Sequence, residues 1–183
     1  MSARPYPAEL EEEVLLPSGR QLTLRPIHPD DEAAHLDLLR HLSLEDSRWR
    51  FFATIKDMDH DRISRFTCID YDREMAFIAT DQKAKNGPAT VGVVRAAILN
   101  DEEAEFAIVV RSDDKHHGVG HALMVKMCHY LHERGLLRVV GDVLPDNHKM
   151  LAFVRDLGFH SRFKPDEGVT KIWKDFGEQE TGG

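Results

Sequence analysis

Cysteine is nearly absent from this chain of 183 residues. Its two cysteines, Cys68 and Cys128, stand far apart with no CxxC pair, which excludes a disulfide framework and fits a reducing cytoplasm. Long apolar runs are missing too. None approaches the ~20 residues of a membrane-spanning helix, and MSARPYPAELEEE at the start lacks the apolar stretch of a signal peptide. Basic charge is in deficit: Lys and Arg number 24 against 32 Asp and Glu, a formal net charge of −8. That balance argues against nucleic acid and anionic membrane as partners, since both need a basic footprint. Neither GxGxxG nor GxxxxGK[ST] occurs, so a Rossmann fingerprint and a Walker loop are excluded. Internal repeats and interior low-complexity linkers are absent as well.

What remains is one domain's worth of chain, 42% hydrophobic and 31% charged, enough to bury a sizeable core beneath a charged surface. A single α/β domain is expected over residues 11–176, with flexible ends at 1–10 and 177–183. Residues 13–27 read as a hairpin turning at Pro17-Ser18-Gly19. Pro29, Asp30, Asp31 and Glu32 suit a helix start, where free N–H groups and the dipole favour negative charge. Leu36, Leu39 and Leu42 follow at helical spacing. Short helices are expected over Asp46–Phe52 and Asp61–Thr67, with Trp49, Phe51 and Phe52 packing the helical face. Three strands follow, over 75–82, 90–100 and 101–111. A helix over Gly118–Arg134 carries the stripe Val119, Leu123, Met127, Tyr130 and Leu131 and stops at Gly135. Then come a strand over 137–144, a helix over Asn147–Leu157 ended by Gly158, and two short strands over 159–164 and 169–174. The sum is a mixed, mostly antiparallel sheet with flanking helices.

The informative stretch runs from Glu105 to His121. A strand enters a polar loop, two glycines follow at a spacing of one residue, and a long helix begins. The first N–H groups of a helix have no partner within it. Glycines let an anion approach that backbone, and the helix dipole adds attraction. Such a junction suits a phosphate or a pyrophosphate.

Lys115-His116-His117-Gly118-Val119-Gly120 resembles the [Q/R]xxGx[G/A] acyl-CoA signature of the GNAT superfamily of N-acetyltransferases. Asn147 through Gly158-Phe159 resembles that superfamily's Asn-led final helix, and the element order matches from about Leu22 to Trp173. Within the superfamily, Cys68–Phe77 and Ala104–Ala107 are similar to the bacterial protein lysine acetyltransferases. In those proteins the domain is often fused to a large acyl-CoA synthetase-like region, so a stand-alone version is expected. The resemblance implies acetyl-CoA, or another short acyl-CoA, as co-substrate, and no metal. It implies that main-chain groups of Ile108, Val109 and Val110 bind the pantetheine arm. Lys115, His116, His117, Gly118, Val119, Gly120 and His121 would bind the pyrophosphate, and Asn147 would contact the pantetheine or its surroundings. Glu105 corresponds to the general base of the protein-acetylating members. Two departures stand out. Lys115 replaces the usual Gln or Arg. Val154 stands where many members carry a tyrosine that protonates the leaving thiolate, which leaves water or the substrate ammonium as the proton donor.

The implied reaction makes physical sense. An alkyl ammonium with a pKa near ~10 is not a nucleophile at neutral pH, so a base must take its proton directly or through water. Partial burial would make Glu105 a better base, and an N–H of Ile108–Val110 would hold the thioester oxyanion. A protein lysine is the favoured acceptor. A small amine is the alternative acceptor, and a non-catalytic acyl-CoA-binding module is the alternative to catalysis. The acceptor-binding segments, residues 28–75 and 160–173, are where such domains differ, and the sequence leaves the oligomeric state open. Asp70–Glu74 either lines an acceptor site or caps the next strand. His117 with His121, and His129 with His132, have spacings that two-point metal binding would need, but no HExxH accompanies them. Phosphate contact or solvation suits them better. Charge is uneven: Lys115, Lys126, Arg134 and Arg138 face Glu133 alone within residues 115–141, while Asp101, Glu102, Glu103 and Glu105 cluster ahead. A basic stretch for CoA phosphates beside an acidic strand for a cationic amine is the expected arrangement.

Overall fold

The computed structural model describes residues 3–46, 60–114 and 118–177. Eight strands hydrogen-bond in the order β1-β2-β3-β4-β5-β6-β8-β7. They are β1 (Glu12–Leu15), β2 (Gln21–Pro26), β3 (Glu74–Asp81), β4 (Ala89–Ile98), β5 (Glu103–Val110), β6 (Arg138–Val143), β7 (His160–Lys164) and β8 (Val169–Asp175). The helices are α1 (Glu32–Arg40), α2 (His60–Thr67), α3 (Val119–Glu133) and α4 (His148–Asp156). β1/β2, β2/β3, β6/β8 and β7/β8 pair antiparallel, and β5/β6 pair parallel. The expected mixed, mostly antiparallel sheet is therefore found. The chain forms two compact units, residues 1–96 with 107–127, and residues 97–106 with 128–183.

In the first unit the β1–β2 hairpin closes as the sequence implies. Gly19 takes φ +84°, a left-handed conformation cheap only for glycine, and Leu16 N–H donates to the Arg20 carbonyl at 2.8 Å. β3 is buried along all but its first residue, with Phe77 and Ile78 fully enclosed. Such a strand reads as a continuous apolar run rather than an alternation. The face of α1 differs from the expected one: His35, Leu38 and Leu39 are buried, while Leu36 is half-exposed. A 3-10 turn at Pro29–Asp31 precedes α1. The short helix expected at Asp61–Thr67 is α2. Of the one expected at Asp46–Phe52, residues 47–52, with Trp49, Phe51 and Phe52, lie outside the described residues. Near the start of the chain, a 3-10 turn spans Ala8–Leu10, and the Tyr6 hydroxyl donates to Glu11 at 2.7 Å.

Asp70 caps the strand that follows it. Its Oδ1 accepts the N–H groups of Asp72, Arg73 and Glu74 at 2.9 to 3.0 Å. It therefore shapes the entry to β3, and those bonds outweigh its desolvation and hold its carboxyl below the ordinary range. Tyr71 sits beside it at φ +55°, its hydroxyl bound to the Ile27 carbonyl at 2.6 Å.

In the second unit β6 pairs with β8 along its whole length. Phe106 and Phe159 pack with ring centroids 5.4 Å apart. Gly141 lies against them: a Cβ there would come within 3.0 Å of the Phe106 ring. α3 ends where Gly135 takes φ +86°, and the Leu136 N–H returns to the Leu131 carbonyl at 3.1 Å. Among the described residues, no helix is long and apolar enough to cross a membrane.

The start of α1 carries a pH-dependent contribution. Arg25 grips Asp31 with two nitrogens, at 2.7 and 2.8 Å, and the His28 N–H adds a third bond at 2.7 Å. Burial alone would raise the Asp31 carboxyl, but these partners outweigh it and hold it low. A lowered folded-state value stabilises the protein above about pH 4 and loses that effect as acid titrates the group. Asp31→Asn should therefore lower the urea midpoint at pH 7 and narrow its gap to the parent at pH 3. An equal gap at both values would contradict the assignment.

Candidate functional site

The site is assembled from β5, the turn after it and the first turn of α3. β5 pairs with β6 over only three residues, Glu103–Glu105 against Arg138–Val140, although β5 continues to Val110. Ile108, Val109 and Val110 thus extend beyond the paired stretch. Val109 is buried, and Ile108 and Val110 are partly exposed. The Arg111 N–H then donates to the Val91 carbonyl at 2.9 Å, and a 3-10 turn follows at Ser112–Asp114. That turn is tied to the end of α1. The Ser112 N–H donates to the His41 carbonyl at 3.2 Å, and Ser112 Oγ accepts from the Ser43 N–H at 2.7 Å.

Past it, Gly118 takes φ +88° and α3 begins. The first bond within the helix runs from the Ala122 N–H to the Gly118 carbonyl at 3.1 Å. The N–H groups of Val119, Gly120 and His121 lie ahead of that bond, as at every helix start. The structure therefore brings Gly118, Val119, Gly120 and His121 into one turn. Val119 can take part only through its main chain, since its side chain is buried. Lys115, His116 and His117 lie outside the described residues. A row of N–H groups at a helix start, at the positive end of the helix dipole, suits a pyrophosphate.

α3 sits this close to β4 because residue 92 is glycine. A Cβ there would lie 3.0 Å from Leu123 Cδ1, 3.1 Å from Val119 Cγ1 and 3.2 Å from the Val109 carbonyl oxygen.

Glu105 is exposed. Side chains alternate along a strand, so it shares a face of β5 with Ala107 and Val109. Those two line a hollow with His35 and Leu39 of α1, Phe66 of α2, and Val93 and Arg95 of β4. Its volume is about 10 Å³, room for roughly one water. Arg95 donates to the Phe66 carbonyl at 2.6 Å, with its guanidinium 5.2 Å from the Phe66 ring centroid. The sequence reading missed His35 and Arg95. The available signal was Arg95 itself, a cation in the otherwise apolar run of β4.

In the second unit Asn147 is the N-cap of α4. It is 8% exposed, and its Oδ1 accepts the Met150 N–H at 3.1 Å. Its side-chain carbonyl thus has a structural role, capping the helix. Val154, at the position of the expected tyrosine, is 1% exposed.

The basic side chains are engaged elsewhere. Lys126 pairs with Glu12 at 3.0 Å and lies over the Phe77 ring. Arg138 pairs with Asp175 at 2.5 Å, and Arg134 donates to the Tyr130 hydroxyl at 2.8 Å. Each of these three is engaged with a neighbouring side chain. His129 faces Glu133 at 3.1 Å, and His132 stacks on Phe176. Burial pushes the Cys128 thiol up to about 11, with Lys174 opposing, which makes it a poor nucleophile.

A family profile described as an acetyltransferase (GNAT) domain matches residues 21–160. An acetyltransferase of Pseudomonas aeruginosa is 25% identical over 158 residues, covering 86% of this chain and 84% of that protein. The crystal structure of the GNAT domain of S. lividans PAT superposes with a TM-score of 0.84 at 28% identity, covering 94% of this chain and 100% of that one. The PaiA N-acetyltransferase of Thermoplasma acidophilum, in complex with coenzyme A, shares the fold. Its TM-score is 0.62 at 14% identity, covering 85% of this chain and 99% of that one.

The close approach at Gly92 generates a prediction. Gly92→Ala should cost about 1–3 kcal/mol of stability, the usual range for overpacking a core. Urea unfolding measures it, and a midpoint unchanged from the parent would show that the helix is free to shift.

Proposed function

This chain belongs to the GNAT acetyltransferase family, and from that premise we propose that it transfers an acyl group from acetyl-CoA, or another short acyl-CoA, to the side-chain amine of a protein lysine. The observation that carries the reading is the glycine-started first turn of α3, placed directly after β5 and its connecting turn. Main-chain groups of Ile108–Val110 hold the pantetheine arm, and the N–H groups of Val119, Gly120 and His121 face the pyrophosphate. Lys115, His116 and His117 of the same motif, and Asn147 at the head of the Asn-led helix, are the further acyl-CoA residues that the family resemblance implies. The lysine acceptor is supported by the likeness of Cys68–Phe77 and Ala104–Ala107 to the bacterial protein lysine acetyltransferases, and by the similarity to the GNAT domain of S. lividans PAT.

In this reading Glu105 takes a proton from the acceptor ammonium, directly or through one water. The neutral amine attacks the thioester carbonyl, and an N–H of β5 holds the oxyanion. Collapse forms the amide and releases the CoA thiolate. With Val154 at the tyrosine position, water or the acceptor's own displaced proton neutralises the thiolate. The exposure of Glu105 gives it a direct route for passing its proton to solvent.

Glu105→Gln should lower kcat by about 10²- to 10⁴-fold, the usual worth of a general base, while CoA affinity stays within twofold. Calorimetric titration with CoA and release of free CoA thiol in the presence of lysine peptides measure the two. An unchanged rate at every pH removes Glu105 as the base. Turnover with small amines but not with lysine peptides or denatured protein moves the acceptor to a small molecule. CoA binding without transfer to any acceptor makes the chain a binding module.

A further inference from the structure

Two carboxylates, Asp113 and Asp114, stand immediately ahead of the segment that the acyl-CoA reading assigns to the pyrophosphate. Unopposed, they would repel a diphosphate, because exposed charges interact over about 8–10 Å at physiological salt. Each is gripped by an arginine. Arg111 holds Asp113 through Nε and Nη2 at 3.0 and 2.8 Å. Arg20, from the start of the distant β2 strand, holds Asp114 through Nη1 and Nη2 at 2.5 and 2.9 Å. Its remaining Nε donates to Asp81, at the end of β3, at 2.8 Å. Three nitrogens of one guanidinium are thus bonded to two carboxylates on different elements, a geometry that fixes position as well as charge. All three side chains are largely buried.

The same hairpin meets the other flank of the segment. Gly118 lies beside Leu16 and Pro17, whose carbon atoms approach within 3.8 and 3.9 Å of where its Cβ would be. Farther along α3, Lys126 pairs with Glu12 of β1.

We infer that Arg20 is a positioning residue for acyl-CoA: it fixes Asp114 ahead of the first turn of α3 and opposes its charge, while Leu16 and Pro17 of the same hairpin pack beside Gly118. The inference rests on the acyl-CoA reading above. It touches neither acceptor nor base, so its signature is confined to acyl-CoA. Arg20→Met should weaken CoA binding about tenfold and raise the KM for acetyl-CoA in parallel. The acceptor KM and the kcat at saturating acetyl-CoA should stay within twofold. Arg20→Lys keeps the charge but loses the fork, and should fall between parent and Arg20→Met. Adding Asp114→Asn to Arg20→Met removes, of the two carboxylates that Arg20 held, the one ahead of the turn, and should recover several-fold in CoA affinity. CoA titration by calorimetry, with steady-state kinetics alongside, reads all of these. Should Arg20→Met fail to fold, Arg20→Lys carries the test. CoA affinity within twofold of the parent in the variants that fold overturns the inference. So does a joint fall of kcat and both KM-based affinities, which would mark a purely structural role. Failure of the parent chain to bind CoA at all would be a different result, and would remove the acyl-CoA reading itself.

Discussion

The candidate site depends on one close approach. At residue 92, Val109 of β5, Val119 at the start of α3 and Leu123 one turn later converge on a point where any side chain would collide. Protein interiors are packed near crystal density, so such a contact has little slack. The missing Cβ lets the first turn of α3 lie directly over the end of β5. That proximity places a row of helix-start N–H groups next to a strand that has extended beyond its pairing with β6. An acyl-CoA carries a diphosphate and an extended amide-bearing arm, and this combination answers both parts: N–H groups at a helix start for the anion, a strand backbone for the arm.

The charges around the turn follow from the same placement. On the acyl-CoA reading a carboxylate beside the diphosphate is a liability, and Asp113 and Asp114 directly precede the segment assigned to it. The protein offsets each with a forked arginine rather than avoiding the acids. In doing so it links the turn to β2, β3 and its own strand end. Lys126, Arg134 and Arg138, the cations that look available in the linear sequence, are occupied by Glu12, the Tyr130 hydroxyl and Asp175. On that reading, anion attraction at this turn comes first from backbone N–H groups and the helix dipole.

Much of this was legible before any coordinates. The strands and helices follow from apolar runs, alternation and helical spacing, and the glycines at 19, 118, 135 and 158 mark their ends because each adopts positive φ. The Gly118–Gly120 junction was readable because its signal is local. What was not readable is whatever depends on partners distant in sequence. Arg20 looks like a turn residue until β3 and the turn after β5 come beside it. Asn147 carries the motif's letter but serves first as the cap of its helix. The inward face of α1, with His35, Leu38 and Leu39, lies one residue from the expected one, because the stripe of a short helix that packs is chosen by neighbours distant in sequence. The exposure of Glu105 depends on neighbours that alternation along one strand does not name.

The central claim is that acyl-CoA lies along Ile108–Val110 and the first turn of α3. Amide hydrogen exchange with and without CoA tests it most directly, since hydrogen bonding to the ligand slows exchange at the groups it covers. The account predicts slowed exchange concentrated at the amides of residues 108–110 and 119–121, with β7 and β8 unchanged. Protection confined to other segments, or none at saturating CoA, would contradict it.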